Sequence, residues 1–207
     1  MDMGWLLHQV LPKRAWPKIK TRPRRGTTSE QHRRIMAREP DLERRQYYKM
    51  LWFSGCAQTD VAHFHSDCVD KTTRTICYQR KKLRSRNMGH SRIPIGKEIQ
   101  ALLNQLPVEG WFFPTIRLEN CSQRASKFKR LCFRLSIQDV TLHSYRYALA
   151  ERARWAGMAE SEAMTYLGHK SRNRHYAYAK NAPIMALPLC YYEKQKAQAL
   201  LAAQEKN

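Results

Sequence analysis

Residues 141–178 read TLHSYRYALAERARWAGMAESEAMTYLGHKSRNRHYAY, and the spacing of the chemically active residues within them decides the interpretation of the whole chain. His143 and Arg146 are three residues apart, so at the start of a helix they lie on one face. His169 follows Gly168, a residue that can end a helix and turn the chain sharply. We therefore expect these two histidines and the arginine to converge on one point.

Two imidazoles and a guanidinium around one point suit a phosphate oxyanion, because preorganised donors stabilise developing charge. A nearby tyrosine would then be a nucleophile for a phosphodiester and would form a covalent phosphotyrosine. Two tyrosines, Tyr176 and Tyr178, lie in the same basic segment. On a helix they would be about 200° apart, so only one of them can face that point, and the other is left to packing or stacking.

The composition points to a polyanionic partner. Over 207 residues, 38 lysines and arginines against 17 acidic residues give a formal net charge of +21. Charge of this size costs self-repulsion, so double-stranded DNA is the first candidate partner. We find neither a basic amphipathic helix with a bulky apolar face nor a long apolar run, so no membrane partner is predicted. No secretion signal is predicted, and the expected location is the cytoplasm, on the nucleoid.

The cysteines give no sign of a metal or a disulfide framework. They occur singly, with no CxxC pair, so reduced and partly buried thiols are expected. No cofactor and no metal is predicted. The six residues are Cys56, Cys68, Cys77, Cys121, Cys132 and Cys190.

Local patterns predict an α+β protein that is mostly α, with one small antiparallel sheet of two or three strands. A capping-box pattern at residues 27–30 opens the first helix, which ends near residue 38. Alternation over residues 74–80 predicts one strand, and a second ends at residues 93–95. The later helices are predicted at about 42–53, 58–64, 99–106, 121–136, 144–156, 159–168, 173–179 and 189–205.

The N-terminal residues differ in composition from the rest. Residues 11–26 contain three prolines and seven basic residues with no acid, which is typical of an extended linker. We therefore divide the chain into a stub with a basic Pro-rich linker, residues 1–26, and a folded domain, residues 27–207.

The spaced motifs resemble the catalytic domain of the tyrosine recombinases, the phage-integrase family. That family carries HxxR, then LGH, then a nucleophilic tyrosine nine residues after that histidine. The chain has HSYR from His143 to Arg146, LGH ending at His169, and then Tyr178. By this spacing the resemblance selects Tyr178 over Tyr176.

The resemblance extends over about residues 27–195. Residues 54–60, SGCAQTD, lie where the family has TGxRxxE/D, and residues 76–83 resemble the hairpin strand that delivers a catalytic lysine. Several motifs in the correct order make the likeness specific. It also implies that residues 1–26 are the remnant of a missing N-terminal DNA-binding domain, and that the last helix docks on a neighbouring copy to form a homo-tetramer on DNA.

The resemblance implies a role for each motif residue. Arg146, His143 and His169 would bind the scissile phosphate and stabilise its transition state, while Tyr178 would attack and hold the 3′ phosphate. Lys82 would protonate the leaving 5′ oxygen as the general acid. The alternative general acid is its neighbour Lys81, and strand alternation turns only one of these two lysines toward the site.

The remaining predicted residues support the site or bind DNA. Asp60 would support the first helix box. A set of basic residues would contact phosphates without reading the sequence. The predicted DNA-binding residues are Arg80, Lys81, Arg84, Arg86, Arg172 and Arg174.

One position departs from the family pattern. An arginine is expected three residues before Asp60, and the chain has Ala57. A methyl group cannot donate to a phosphate oxygen, and losing one such donor costs roughly 10²–10³ in rate. Either another cation near Lys82 replaces the arginine, or catalysis is impaired. The cations close in sequence are Arg80, Lys81, Arg84 and Arg86.

Two functions follow from these patterns. The resemblance implies a site-specific DNA recombinase or integrase of a phage or mobile element, which acts through a covalent 3′-phosphotyrosyl intermediate. The alternative is a truncated, catalytically impaired integrase remnant that only binds DNA. An RNA- or ribosome-binding basic protein would explain the charge but not the ordered motifs.

Overall fold

The structure, a computed structural model, describes residues 24–80, 90–169 and 171–182. Within those ranges it has eight α-helices and one three-stranded antiparallel sheet, which confirms the predicted α+β, mostly α class. The helices are α1 Ser29–Arg38, α2 Leu42–Ser54, α3 Gln58–Ala62, α4 Lys97–Leu103, α5 Cys121–Arg134, α6 Ser144–Trp155, α7 Glu160–Leu167 and α8 Arg172–Ala179. The strands are β1 Val69–Asp70, β2 Thr75–Tyr78 and β3 Ser91–Pro94.

The sheet has the strand order β1-β2-β3, with β2 in the middle. Ile76 of β2 pairs with Ile93 of β3 on one side and with Val69 of β1 on the other. Ile76 and Tyr78 are buried, whereas the two residues that alternate with them are half-buried. The prediction of β2 and β3 is therefore confirmed. Strand β1 was not predicted, because its two residues are too few to show an alternating pattern.

Helix α2 lies at the centre of the molecule and contacts α1, α3, α4 and α6. Its two adjacent tyrosines are almost fully buried. Tyr47 meets Phe113 edge-on at 5.5 Å between ring centres, and Tyr48 meets Phe128 at 5.3 Å. Tyr145 of α6 completes this aromatic core and has no exposed surface. Because α6 packs on α2, the core fixes the position of the α6 N-terminus, where the candidate site lies.

The capping box of α1 lies one residue later than predicted. Thr28 is the N-cap, and its side chain accepts a hydrogen bond from the Gln31 backbone at 3.1 Å. The Gln31 side chain in turn accepts from the Thr28 backbone at 3.2 Å, so glutamine completes the box. Thr27 is instead buried, and its backbone N–H donates to the Ser144 carbonyl. This tertiary bond holds Thr27 against α6 and moves the cap to the next residue.

Two glycines end the helices that lead into the site. Gly55 ends α2 with φ of 60°, and Gly168 ends α7 with φ of 61°. Both have the left-handed backbone that favours glycine at a helix C-terminus. The predicted role of Gly168 as the end of α7 is thereby confirmed, and His169 follows directly.

The last residues of the predicted linker contact the folded domain. The Arg25 guanidinium donates to the Gln138 carbonyl at 2.6 Å, and the Gly26 N–H donates to the Glu151 carboxylate at 3.1 Å. Residues 1–23 and the predicted C-terminal helix, 189–205, lie outside the described residues. In the described part, no helix is both long and apolar enough to cross a membrane.

Candidate active site

The site lies where the start of α6 meets the joint between α7 and α8. His143 directly precedes α6, and Arg146 lies in the first turn of that helix. His169 follows the C-terminal glycine of α7, and Tyr178 lies near the end of α8. Helix α6 contacts both α7 and α8. The packing of three helices therefore brings the four predicted residues together.

Tyr178 is at the centre of this group. Its hydroxyl lies 2.9 Å from His143 Nε2. Its ring lies 4.8 Å from the His169 ring and 5.7 Å from the Arg146 guanidinium carbon. Tyr176, in contrast, is 62% exposed and lies 5.7 Å from the guanidinium carbon of Arg154. The predicted difference in the direction of the two tyrosines is thus present in α8.

Arg146 is buried and holds the ends of two helices. Its Nη1 donates to the Gly55 carbonyl at 2.9 Å, and its Nη2 donates to the Leu167 carbonyl. Burial lowers the pKa of the Arg146 guanidinium, yet an arginine stays charged in proteins. Its hydrogen-bond partners among the described residues are carbonyls and not carboxylates. A buried cation without a carboxylate partner favours a nearby anion, and a phosphate would fit that requirement.

His143 is held in its neutral form. Burial lowers its pKa to about 4, and the charges of Arg146, Arg24 and Arg80 act in the same direction. At neutral pH the imidazole therefore has one nitrogen that accepts a hydrogen bond. With Nε2 as that nitrogen, the 2.9 Å contact is a hydrogen bond donated by the Tyr178 hydroxyl.

Arg80, the residue that follows Gln79 after β2, reaches the same site. Its Nε lies 3.7 Å from the carboxylate of the buried Asp60, and its Nη1 lies 3.5 Å from the Gly168 carbonyl. The Leu167 carbonyl, one residue earlier, is the one that Arg146 binds. The guanidiniums of Arg146 and Arg80 thus lie beside the carbonyls of two consecutive residues, and His169 follows directly after these two residues.

Ala57 is the N-cap of α3, the short helix that carries Asp60 in its first turn. It makes no side-chain capping bond, as expected of a methyl group. The Asp60 carboxylate contacts Arg80, which follows the end of β2 by two residues.

Sequence reasoning missed two residues of the site. His175 Nδ1 lies 3.1 Å from His169 Nδ1, and both histidines are buried. The Tyr147 ring lies 4.4 Å from the Tyr178 ring. The signal for His175 was its position three residues before Tyr178, on the same face of α8.

Of the predicted DNA-binding residues on α8, Arg172 is exposed at the start of the helix. In the described parts of the chain, no group of three or more His, Cys, Asp and Glu side chains is arranged to hold a metal ion. Lys82, Lys81, Arg84 and Arg86 lie outside the described residues, as does the side chain of Arg174.

No protein-family model matches the sequence, and no sequence among the curated proteins matches it either. Solved structures do match. The Tn1549 transposon integrase, in complex with transposon right-end DNA, gives a TM-score of 0.62 at 14% identity over 86% of this chain and 67% of that chain. The catalytic domain of bacteriophage HP1 integrase gives 0.59 at 17% identity over 77% and 89%.

A third match is the XerH site-specific recombinase bound to its palindromic difH substrate, with a TM-score of 0.60 at 12% identity over 89% of this chain and 54% of that chain. The chain thus spans between about half and two thirds of the length of two of these structures. All three are tyrosine recombinases or their catalytic domains. The predicted resemblance is confirmed as one of fold, because this chain folds like a tyrosine recombinase catalytic domain.

Proposed function

We propose that this protein breaks and rejoins DNA as a site-specific recombinase or integrase, through a covalent 3′-phosphotyrosyl intermediate. The observation that carries the proposal is the 2.9 Å contact between the Tyr178 hydroxyl and the neutral His143 imidazole. The buried Arg146 and His169 lie beside the same tyrosine. A nucleophile, a proton acceptor and phosphate ligands are therefore adjacent.

The proposed reaction exchanges one phosphodiester for another. The Tyr178 oxygen attacks the scissile phosphorus, and its proton passes to His143 Nε2. The bond from phosphorus to the 5′ oxygen breaks, and that oxygen takes a proton from Lys82, with Lys81 as the competing donor. DNA is left with a 3′-phosphotyrosyl bond and a free 5′ hydroxyl. Attack by another 5′ hydroxyl reverses the steps and rejoins the strand.

The proposed phosphate ligands are Arg146, His169 and Arg80. Donors that are already in place where negative charge develops lower the barrier without reorganisation. Arg80 supplies the second guanidinium near Ala57, and Asp60 orients it through the 3.7 Å contact. His143, to which the resemblance gives a phosphate contact, serves in this scheme as the acceptor of the tyrosine proton.

The proposed substrate is double-stranded DNA of a phage or mobile element. A net charge of +21 favours such a polyanion. Two proteins with the same fold, the Tn1549 integrase and XerH, have been solved with DNA. We further propose that four copies assemble on the DNA through residues 189–205, and that the protein acts in the cytoplasm on the nucleoid.

A covalent-adduct assay tests the proposal. Nicked duplexes that tile the DNA flanking the coding sequence are incubated with the protein, and adducts are resolved on a denaturing gel. We expect the wild type and Tyr176→Phe to form an adduct, and Tyr178→Phe to form none, because Tyr178 is the one of these two tyrosines whose hydroxyl contacts His143. An adduct that persists in Tyr178→Phe, or a wild type and an Ala57→Arg variant that both form none, would refute the proposal.

The second candidate is a DNA-binding remnant that no longer cleaves, and Ala57 favours it. The two candidates predict different adduct formation in Arg80→Gln and in Ala57→Arg. If Arg80 replaces the missing arginine, we expect this variant to lower adduct formation by roughly 10²–10³-fold and Ala57→Arg to change it little. The matched control is Arg117→Gln, whose guanidinium lies over Trp111 and away from the site. An adduct seen only after Ala57→Arg would identify a decayed enzyme.

A further inference from the structure

His169 contacts two residues of α8. The His175 ring lies 5.4 Å from the His169 ring between ring centres, and the Tyr178 ring lies 4.8 Å from it. The two α8 residues are three positions apart and so share one face of the helix. The contact with His175 is made through the two Nδ1 atoms, which are 3.1 Å apart and buried.

Two Nδ1 atoms that face each other at this distance share a single proton. If both carried one, two N–H groups would be opposed, and if neither did, two lone pairs would be opposed. One nitrogen must therefore donate and the other accept. The state of His175 thus fixes which nitrogen of His169 is protonated, as a second hydrogen bond commonly does for a functional imidazole.

His175 is favoured in its neutral form. Burial lowers its pKa, and the charges of Arg154 and Arg146 act in the same direction against the opposing charge of Glu160. A neutral His175 has either a donor or an acceptor at Nδ1. When it donates, neutral His169 carries its proton on Nε2. When it accepts, His169 donates from Nδ1, and a neutral His169 then has no proton on Nε2.

We propose that His175 is a positioning residue that donates from its Nδ1 to His169 Nδ1 and so keeps the proton of a neutral His169 on Nε2. Because Nδ1 is directed at His175, Nε2 is the ring nitrogen that serves the site. The surrounding charges favour an anion there: Arg146 binds the carbonyl of Leu167, and Arg80 lies against the carbonyl of Gly168. This direction of the hydrogen bond rests on the proposed function, because a scissile phosphate would accept from an N–H on Nε2, whereas the tautomer itself can be read without any DNA cleavage.

The first test reads the tautomer directly, by long-range ¹H–¹⁵N NMR of histidine-labelled full chain without DNA. In the wild type at pH 7 we expect His169 to be protonated on Nε2. In His175→Leu we expect a mixture of tautomers, and in His175→Asn, whose amide still reaches Nδ1, a return toward the wild-type pattern. An identical His169 pattern in the wild type and His175→Leu would overturn the proposal. If His175→Leu does not fold, His175→Ser replaces it, since its hydroxyl is too short to reach Nδ1.

The second test uses the adduct assay across pH. We expect His175→Leu to lower the rate by roughly 10- to 100-fold, the range for removing a partner that orients a functional histidine. We also expect DNA affinity to be unchanged, the pH profile to shift, and His175→Asn to recover most of the rate. Tyr176→Phe, on the exposed side of α8, is the matched control. An unchanged rate and pH profile in His175→Leu would overturn the proposal. A wild type that forms no adduct would instead refute the proposed function, and the NMR result would still decide the role of His175.

Discussion

His32 and His143 are two histidines that burial keeps in the neutral form. His32 stacks on Trp52 at 4.5 Å, and Arg152 lies over the same indole at 3.9 Å. Burial lowers the pKa of His32 to about 4, with the Arg152 charge as a further cause. His143 has the same pKa of about 4, but its neutral nitrogen meets the candidate nucleophile. One physical effect thus acts on a packed histidine in one case and on a histidine with a proposed chemical role in the other.

The low pKa of His32 predicts a loss of stability in acid. Its ordinary pKa is 6.5 and its folded-state pKa is about 4, so between these values the unfolded chain binds more protons. The free energy of unfolding is therefore expected to fall as the pH decreases from about 6.5 to about 4. In His32→Phe this fall should be smaller, as measured by urea unfolding at pH 7 and pH 5.

The matched control for His32 is His90→Gln, which changes an exposed histidine. It should leave the pH dependence of unfolding as in the wild type. A His32→Phe protein that loses as much stability as the wild type between the two pH values would contradict the assigned cause.

At the scale of elements, the site depends on where helices end. Gly55 ends α2 and Gly168 ends α7, and each leaves a carbonyl beside the arginines of the site. Arg146 connects these two helix ends from α6. A change in either helix end would therefore move a proposed phosphate ligand even though it alters no charged residue.

Gly55→Ala tests this dependence. At φ of 60° any side chain is strained, and the new Cβ would lie 2.6 Å from Leu149 Cδ2 and 2.9 Å from Leu149 Cβ. We expect a loss of about 2–3 kcal/mol in the free energy of unfolding, measured in urea, since strain and overpacking add. Adduct formation should fall as well, because the Gly55 carbonyl accepts from Arg146.

Gly157→Ala is the matched control for Gly55→Ala. Gly157 also has positive φ, 76°, but a Cβ there would meet no atom within 4 Å. Its loss should therefore be limited to the backbone strain, about 1 kcal/mol, with adduct formation unchanged. Equal losses in the two variants would show that the contact with Leu149 costs nothing.

At the scale of the whole molecule, charge dominates the expected behaviour toward DNA. The net charge of +21 is a property of the full chain. Part of this charge lies around the site, where Arg146, Arg80 and Arg24 all lower the pKa of His143. Binding through such charges releases counterions from DNA and is therefore expected to weaken steeply with salt.

Salt titration of duplex DNA binding checks this expectation. The logarithm of the binding constant should fall linearly with the logarithm of the salt concentration. Arg172→Gln, at the exposed start of α8, should reduce the slope by about one. Arg33→Gln changes the net charge equally, but at an exposed arginine paired with Glu30 on α1, and should leave the slope unchanged. A flat salt response, or equal effects of the two variants, would contradict binding at the α8 face.

The sequence by itself determined the order of the elements and the identity of the central residues. Helical and strand periods are local, so they located eight helices and two strands of the described part. The resemblance to the tyrosine recombinases, carried by the spacing from His143 to Tyr178, singled out the residues that the fold brings together. An alternating pattern could not reveal β1, which has only two residues. The capping box lies one residue later than predicted, because a tertiary hydrogen bond holds Thr27 against α6.

Only the tertiary structure decided which groups meet across the site. The pairing of His169 with His175, the ring contact of Tyr147 with Tyr178, and the contact of Arg80 with Asp60 each depend on the packing of separate elements. Their distances are set by how α6 packs on α2, α7 and α8, and such long-range contacts leave no period in the sequence. The low pKa of His143 has the same origin, because burial and the charges of three arginines act together only in the folded chain.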